Sequence, residues 1–367
     1  MKEQIKLTRE QVFFLTMLGV MGNLVYIHTW IDDLTDRAAW VAAFLGVLMV
    51  IPLAVWLVFL GNSLPSNTIF ELLEKGLGKP VLIPMGLVFI VINIAIAVTQ
   101  LNMFTQMINV YFLEFTPPWV IMLFLVFMGT LFAEGGVQIF ARLTESMAVL
   151  GIFDFFVAFF LAFPKYIHPE YVFPVFDTTW TGFIKGALFI TGGAAECLLL
   201  LMVIVSYIPD ARKHYLWVVT GISGGGLVVT SAILIIIAMM SPELAKSVAF
   251  GGVNAANLIQ IQDFVQGLEI FMFGSYQIIA IGKITITIYC AWMVLRQIFA
   301  DRLPLLLLLL ISFLVLTASI WLTSYNRAYS LAVVLSEYVI LPFCLIVLLL
   351  TSASLVIIKK RTGGAAK

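Results

Sequence analysis

Ten apolar runs, each long enough to cross a bilayer as a helix, constrain this chain more than any other feature of its sequence. A membrane-spanning helix needs about 20 predominantly apolar residues. Because 62% of the 367 residues are hydrophobic and 11% are charged, little polar sequence remains for a soluble domain. We therefore predict an all-α integral membrane protein with a single membrane domain over residues 1–367. The runs cover residues 10–30, 38–60, 81–112, 118–135, 143–163, 181–207, 215–240, 264–294, 303–322 and 332–358.

The distribution of lysine and arginine predicts that both termini lie in the cytoplasm. With the amino terminus inside, fourteen of the twenty Lys and Arg residues fall in inner segments and five in outer ones. Positively charged residues favour the cytoplasmic side of a membrane. Lys283 belongs to neither group, because it lies within the eighth run.

Glycines interrupt the first and the sixth run. The first contains Gly19, Gly22 and Asn23, and the sixth contains Ile190-Thr-Gly-Gly-Ala-Ala-Glu196. Each glycine costs a helix about 1 kcal/mol, and a glutamate near mid-membrane costs about 3 kcal/mol. One interpretation is a pair of broken helices whose freed backbone groups face a cavity. The other is a close crossing of small residues beside one buried, protonated glutamate. The sequence leaves both open.

The two interrupted runs stand at corresponding places in two halves of the chain. Runs one to five occupy residues 10–163, and runs six to ten occupy residues 181–358. Because each half has an odd number of spans, a structural repeat must be inverted in the membrane. We predict a five-plus-five inverted repeat with a small-molecule site where the repeats meet, as in many secondary transporters. This prediction rests on the number of spans and the position of the glycines.

Two loops carry helix signals of their own. The inner loop from Thr68 to Pro80 has apolar residues on one face and predicts a short amphipathic helix at the cytoplasmic interface. The outer loop 241–263 opens with Ser241-Pro-Glu243, a good helix start, and later contains Gly251-Gly252, which predicts a break. We expect a loop helix that partly covers the outer mouth.

The order of these motifs resembles one family. Besides the features above, the chain has Phe173-Pro-Val-Phe176 before the sixth run, Arg212-Lys213 after it, and Leu335-Ser-Glu-Tyr-Val-Ile-Leu-Pro342 near the end. Together they resemble the permease-like B subunit of spore germinant receptors, within the amino acid–polyamine–organocation transporter superfamily. The likeness covers nearly the whole chain. One departure is Tyr26-Ile-His-Thr29, where a proline would be expected soon after the first interruption.

The resemblance implies a fold, a ligand and partners. It implies a small germinant, often an amino acid, held between spans 1, 3, 6 and 8. It also implies the spore inner membrane and association with an A-type subunit and a C-type lipoprotein subunit. The predicted ligand-binding residues are Gly19, Gly22, Asn23, Asn93, Gln100, Thr191, Gly192, Gly193, Glu196, Tyr276 and Thr287.

Polar residues in spans 3 and 8 fall on single helical faces. Asn93 and Gln100 share a face of span 3. In span 8, Tyr276 and Lys283 are seven residues apart, and Thr287 follows one turn later. Such faces line a cavity or form hydrogen bonds to neighbouring helices, and the sequence does not separate these roles.

Lys283 and Asp154 are predicted to lie at similar depth, about 20 Å and 18 Å from the cytoplasmic side. In the resembled fold, spans 1, 5 and 8 meet at a position that holds an ion in sodium-coupled relatives. We expect the Lys283 ammonium at that position, with Asp154 as counter-charge and Glu196 as the alternative partner. A purely structural buried pair is the other interpretation.

Three functions remain to be weighed. The first is a ligand-sensing receptor subunit, and the second is a proton-coupled amino-acid transporter with the same fold and site. The third, a membrane-embedded enzyme, would need a convergent nucleophile–base or metal set, which His28, His168, His214 and the three cysteines do not provide. We expect no catalytic residues, no bound metal and no cofactor. Because the formal net charge is zero, we expect no nucleic-acid partner.

Overall fold

The chain is an assembly of seventeen α-helices in the part that the computed structural model describes. The described residues are 6–22, 27–61, 68–162, 165–176, 178–208, 211–259, 269–299, 302–322 and 324–363. The first eight helices are α1 (Arg9–Met21), α2 (Ile27–Thr35), α3 (Ala39–Gly61), α4 (Ile69–Leu77), α5 (Lys79–Tyr111), α6 (Pro118–Glu134), α7 (Gly136–Ala162) and α8 (Pro169–Val172). The next nine are α9 (Trp180–Ala194), α10 (Glu196–Ile204), α11 (Ala211–Met240), α12 (Pro242–Ser247), α13 (Gly251–Leu258), α14 (Glu269–Ile298), α15 (Pro304–Trp321), α16 (Tyr325–Val334) and α17 (Ile340–Gly363).

Each of the ten apolar runs coincides with one helix or with two successive helices. Seven segments are long and apolar enough to cross a membrane by length and composition, and α6 is a shorter apolar helix. The seven are Ile31–Gly61, Lys79–Tyr111, Trp180–Tyr207, Tyr215–Met240, Tyr276–Ile298, Pro304–Trp321 and Tyr325–Arg361. The chain is therefore a helical protein of membrane type.

The first apolar run is divided in two. α1 begins with a capping box, in which the Thr8 hydroxyl accepts from the Gln11 amide and the Gln11 side chain accepts from the Thr8 amide. It ends at Met21, and Gly22 forms the turn that follows. The next described helix, α2, begins at Ile27, and residues 23–26 lie outside the described residues.

Burial separates central helices from peripheral ones. In the most apolar stretch of Trp180–Tyr207, 94% of the residues are buried, compared with 28% in Pro304–Trp321. All nine residues of α10 are buried, and α10 packs against α1, α3 and α14. The sixth span therefore lies inside the helix bundle, whereas α15 presents leucine and phenylalanine side chains outward, as a lipid-facing helix does.

The interruption of the sixth span is smaller than predicted and lies further along the chain. α9 continues through Gly192 and Gly193, and the helix is interrupted at Ala195 alone. The Ala195 amide still donates to the Thr191 carbonyl at 2.8 Å. The interruption therefore falls within the predicted stretch, Ile190–Glu196, but it lies at Ala195 and not at the glycine pair, which remains helical.

Gly192 serves a close helix contact instead. A Cβ atom at this position would overlap the carbonyl oxygen of Ser336 and lie 2.5 Å from the Ser336 carbonyl carbon. Ser336 belongs to a π-helical turn, Leu335–Val339, that joins α16 to α17. A π-turn displaces backbone groups from the regular helical pattern. The glycine thus leaves the space into which this displaced carbonyl fits.

The loop predictions are confirmed in part. α4 is the amphipathic helix expected in the inner loop: Thr68 caps its start, Gly78 ends it with a φ of 85°, and its apolar face packs on α5 and α17. In the other loop, α12 begins after Ser241 as predicted. α12 ends at Ser247 and α13 begins at Gly251, so the helical segment is broken as expected, just before the glycine pair. Residues 260–263 of that loop lie outside the described residues.

We predict that Gly192→Ala destabilises the folded protein by about 1–3 kcal/mol, because a methyl group there meets backbone atoms that cannot move aside. Thermal unfolding of the purified protein in detergent measures the effect. Gly274→Ala is the matched control. Gly274 lies in α14 with no atom within 4 Å of its added Cβ, so alanine should stabilise the helix by about 0.5–1 kcal/mol. Equal unfolding temperatures for both variants would contradict the prediction.

Candidate functional site

A buried ion pair lies at the centre of the bundle. The Nζ atom of Lys283 is 2.5 Å from Oε2 of Glu196, and the two side chains are 1% and 5% exposed. Lys283 lies midway along α14, and Glu196 is the first residue of α10. The pair therefore joins the start of α10 to the middle of α14.

The same ammonium reaches the first span. Lys283 Nζ donates to the Gly19 carbonyl oxygen at 2.8 Å. Gly19 is in the last turn of α1, where the final four carbonyls have no partner within the helix. The lysine thus connects the end of α1 with the start of α10.

Helix ends complement both charges. The Glu196 carboxylate is in the first turn of α10, at the positive end of the helix dipole, while the Lys283 ammonium contacts the negative end of α1. Each such arrangement stabilises a charge by up to about 2 kcal/mol in a partly buried setting. The contribution from α10 is the smaller one, because the Ala195 amide is still bonded to the Thr191 carbonyl of α9.

The two glycines of span 1 make room for this arrangement. A Cβ atom on Gly22 would lie 2.8 Å from Cε of Lys283 and overlap the rest of its stem. A Cβ atom on Gly19 would lie 2.9 Å from Cβ of Cys197, the residue after Glu196. Small residues at 19 and 22 allow α1 to approach α10 and α14 closely enough for the lysine to reach both.

Three predicted ligand residues are already bonded to helix backbones. The Thr191 hydroxyl donates to the Ala187 carbonyl at 2.8 Å and lies 3.1 Å from the Gly46 carbonyl of α3. The Asn93 amide donates to the Phe89 carbonyl at 2.9 Å, and the Thr287 hydroxyl lies 3.1 Å from the Lys283 carbonyl. Each would have to leave these partners before contacting a ligand.

The remaining predicted residues divide into two groups. Gln100, Gly193 and Tyr276 are buried, and the Tyr276 hydroxyl lies against Gly252 at the start of α13. Asn23 lies outside the described residues, and so does the side chain of Asp154 on α7. The pairing of Lys283 with Asp154 therefore stays a prediction, whereas its alternative partner Glu196 is in contact.

Sequence reasoning missed Asp32. The first run was predicted to end at residue 30, but α2 continues to Thr35, and Asp32 is fully buried. The signal was the spacing of Ile31, Leu34 and Thr35 around it, which continues the helical pattern past the predicted end.

Comparison with known proteins places the chain in a family. The model of the spore germination protein family, Spore_permease, matches residues 6–328. The chain belongs to this family. Over 304 residues it is 20% identical to the spore germination protein YndE of Bacillus subtilis (strain 168), which covers 81% of this chain and 82% of YndE. It is 23% identical over 283 residues to the putative spore germination protein YfkT of the same strain, covering 76% of each chain.

The family assignment confirms the resemblance drawn from the motifs and their order. The match includes both interrupted spans, α4 and the helix that carries Lys283. The central ion pair therefore lies within the part of the chain that the family model matches.

We predict that Lys283 and Glu196 are energetically coupled. Removing one member strands a buried charge and should cost about 3–5 kcal/mol, whereas Lys283→Met combined with Glu196→Leu should cost less than the sum of the two single changes. Thermal unfolding of the four proteins in detergent measures the coupling. Lys185→Met, an exposed position on α9, is the matched control and should change stability little.

A second cycle with Asp154→Leu tests the other pairing. Asp154 would be the functional partner if two results were found together. The stability changes of Lys283→Met and Glu196→Leu would be additive, and those of Lys283→Met and Asp154→Leu would be strongly coupled.

Proposed function

We propose that the chain is the transporter-like membrane subunit of a spore germinant receptor, which binds a small germinant near mid-membrane and helps to trigger germination. The observation that carries this proposal is the Lys283 ammonium, which contacts both Gly19 and Glu196 at the interruptions of two helices. The match to the spore germination protein family supports the physiological role.

The proposed architecture is ten spans in two inverted five-helix repeats, over residues 10–163 and 181–358. Its support is the correspondence of each apolar run with helices and the interruption of the first helix in each half. Seven segments are long and apolar enough by themselves. The other three spans would be α1 with α2, α6, and α7. The lysine and arginine distribution favours both termini on the cytoplasmic side, which is the spore core side.

The proposed ligand is an amino acid held between spans 1, 3, 6 and 8. An amino acid carries a carboxylate and an ammonium, and the site offers one group of each sign in Lys283 and Glu196. The carboxylate of a zwitterion can take the place of Glu196 beside Lys283, and its ammonium can take the place of Lys283 beside Glu196. Such an exchange would open the contact between α10 and α14, which gives a route from binding to a change in packing.

The proposed location is the spore inner membrane, in association with A-type and C-type receptor subunits. The permease-like chain would supply the ligand site, and the partners would carry the signal onward. The neighbouring reading frames provide inexpensive support, because A-type and C-type genes in the same operon favour a receptor.

The second candidate is a proton-coupled amino-acid transporter. Glu196 favours it, because a buried carboxylate that exchanges its lysine partner for a ligand can also take up a proton. Uptake of labelled amino acid by cells that express this chain alone would support transport. Germination that fails without the gene, with no uptake by the isolated chain, supports the receptor.

We predict that Glu196→Gln impairs germination less than Glu196→Leu, because glutamine can still accept a hydrogen bond from the Lys283 ammonium. The measurement is the rate of germination of variant spores at matched protein level, against separate amino acids, sugars and nucleosides. Glu114→Gln, an exposed residue between α5 and α6, is the control and should respond as wild type does. Wild-type behaviour of both Glu196 variants would exclude this residue from the site.

We also predict that germination needs no sodium. In the resembled fold a coupling cation is held where spans 1, 5 and 8 meet, and the Lys283 ammonium would take its place there, so potassium or choline salts should support the same rate. The test compares wild-type spores in sodium and in sodium-free buffer of equal ionic strength. A rate that falls at least tenfold without sodium would contradict the assignment of Lys283 to the cation position.

A further inference from the structure

A second buried acidic group lies away from the central ion pair, on α2. Asp32 is fully buried, and among the described residues neither of its carboxylate oxygens has a hydrogen-bond partner. An ionised carboxylate in such a setting is strongly unfavourable, because neither water nor donors compensate its charge. It must therefore hold a cation or a proton.

The charged groups around Asp32 do not supply that cation. Lys246 of α12 acts on it electrostatically, but the Lys246 ammonium already pairs with Asp36. Asp36 adds negative charge, and Tyr329 of α16 is coupled to Asp32 and Asp33. Lys246 and Asp36 act on Asp32 with opposite signs, and Arg37 of the short 3-10 segment Asp36–Ala38, which packs on α2, donates to the Phe173 carbonyl instead.

The helices packed on α2 contribute few other titratable groups. α3 has no charged residue, and α9 has Lys185, which is exposed. α12 adds Glu243, whose pKa is lowered by a hydrogen bond from its own backbone amide and then by the Ser241 hydroxyl, so it is ionised at neutral pH. On α2 itself, His28 lies one turn before Asp32, and its side chain lies outside the described residues.

The environment also argues against a metal ion or an organic ammonium. Calcium and magnesium take six or more oxygen ligands, and the described residues contain no cluster of three His, Cys, Asp or Glu that could hold a metal. An organic ammonium needs space beside the carboxylate, whereas Asp32 has no exposed surface. A proton needs neither additional ligands nor space.

We propose that Asp32 is a proton-binding site, in which a carboxylate oxygen takes a proton from water and holds it while α2 is packed against α9 and α12. The Lys246–Asp36 pair, which acts electrostatically on Asp32, is partly exposed, with 28% and 37% of the two side chains accessible. Loss of the proton leaves a buried charge and loosens α2. The second half of span 1 is thus held in place by protonation, independently of Lys283.

The test uses the full-length protein in lipid nanodiscs and compares wild type with Asp32→Asn, which imitates the neutral acid. A carboxyl group that is neutral when folded and ionised when unfolded favours unfolding as the pH rises. At pH 7 the Asp32→Asn variant should therefore melt about 3 °C or more above wild type. The difference should shrink as the pH falls towards about 4, where aspartate is protonated in the unfolded chain as well.

Asp33→Asn is the matched control. Asp33 is the next residue on the same helix and is exposed, so its change should leave the pH dependence of melting as in wild type. The infrared carbonyl stretch of a protonated carboxylic acid provides a second measurement at pH 7. This band should be present in wild type and in Asp33→Asn, and it should be reduced in Asp32→Asn. If the asparagine variant does not fold, Asp32→Ala takes its place.

Three outcomes would overturn the proposal. The first is an Asp32→Asn protein that melts at or below wild type at every pH. The second is an infrared band that is unchanged by replacement of Asp32. The third is stabilisation of wild type, but not of Asp32→Asn, by sodium chloride relative to choline chloride, because that result assigns a metal cation to the carboxylate.

Discussion

The Lys283–Glu196 ion pair is the interaction on which the centre of the structure depends. Two charged side chains that have almost no contact with solvent are tolerated only when each has a compensating partner. Here the compensation comes from the opposite charge, from the Gly19 carbonyl and from the ends of α1 and α10. If any one of these were displaced, the others would be left with an uncompensated charge, so the packing of three helices is tied to one lysine.

This dependence explains why the polar residues of the core fall into two classes. The hydroxyls of Thr191 and Thr287 and the amide of Asn93 are bonded to helix backbones, which leaves them little capacity for a ligand. The charged pair has partners that a zwitterion can imitate. The groups most open to exchange are therefore the two whose separation would cost most in the absence of a ligand.

The sequence was informative wherever the signal was local. The ten apolar runs, the capped α4 and the interruption after Gly22 could each be predicted from neighbouring residues, and they coincide with helices or their ends. The depth of Lys283 could be estimated from helical rise. These features depend on hydrophobicity, capping and glycine, which act over a few residues.

The sequence was misleading wherever a distant segment decided the outcome. Gly192 and Gly193 predicted a break, but Gly192 is needed because a carbonyl more than 140 positions later packs against it. The first apolar run was predicted to end at residue 30, before Asp32, and no local pattern shows that α12 will pack on α2. Whether Lys283 meets Glu196 or Asp154 depends on helix rotation, which composition and spacing do not determine.

The contact between Gly192 and Ser336 also has a mechanical consequence. The Ser336 carbonyl fills the space beside Gly192, so α9 cannot slide or rotate against the π-helical turn before α17 without losing this close contact. α10 is fastened instead to α14 and α1 through Glu196. The two helices on either side of Ala195 are thus held by different partners, α9 by the π-helical turn and α10 by Lys283.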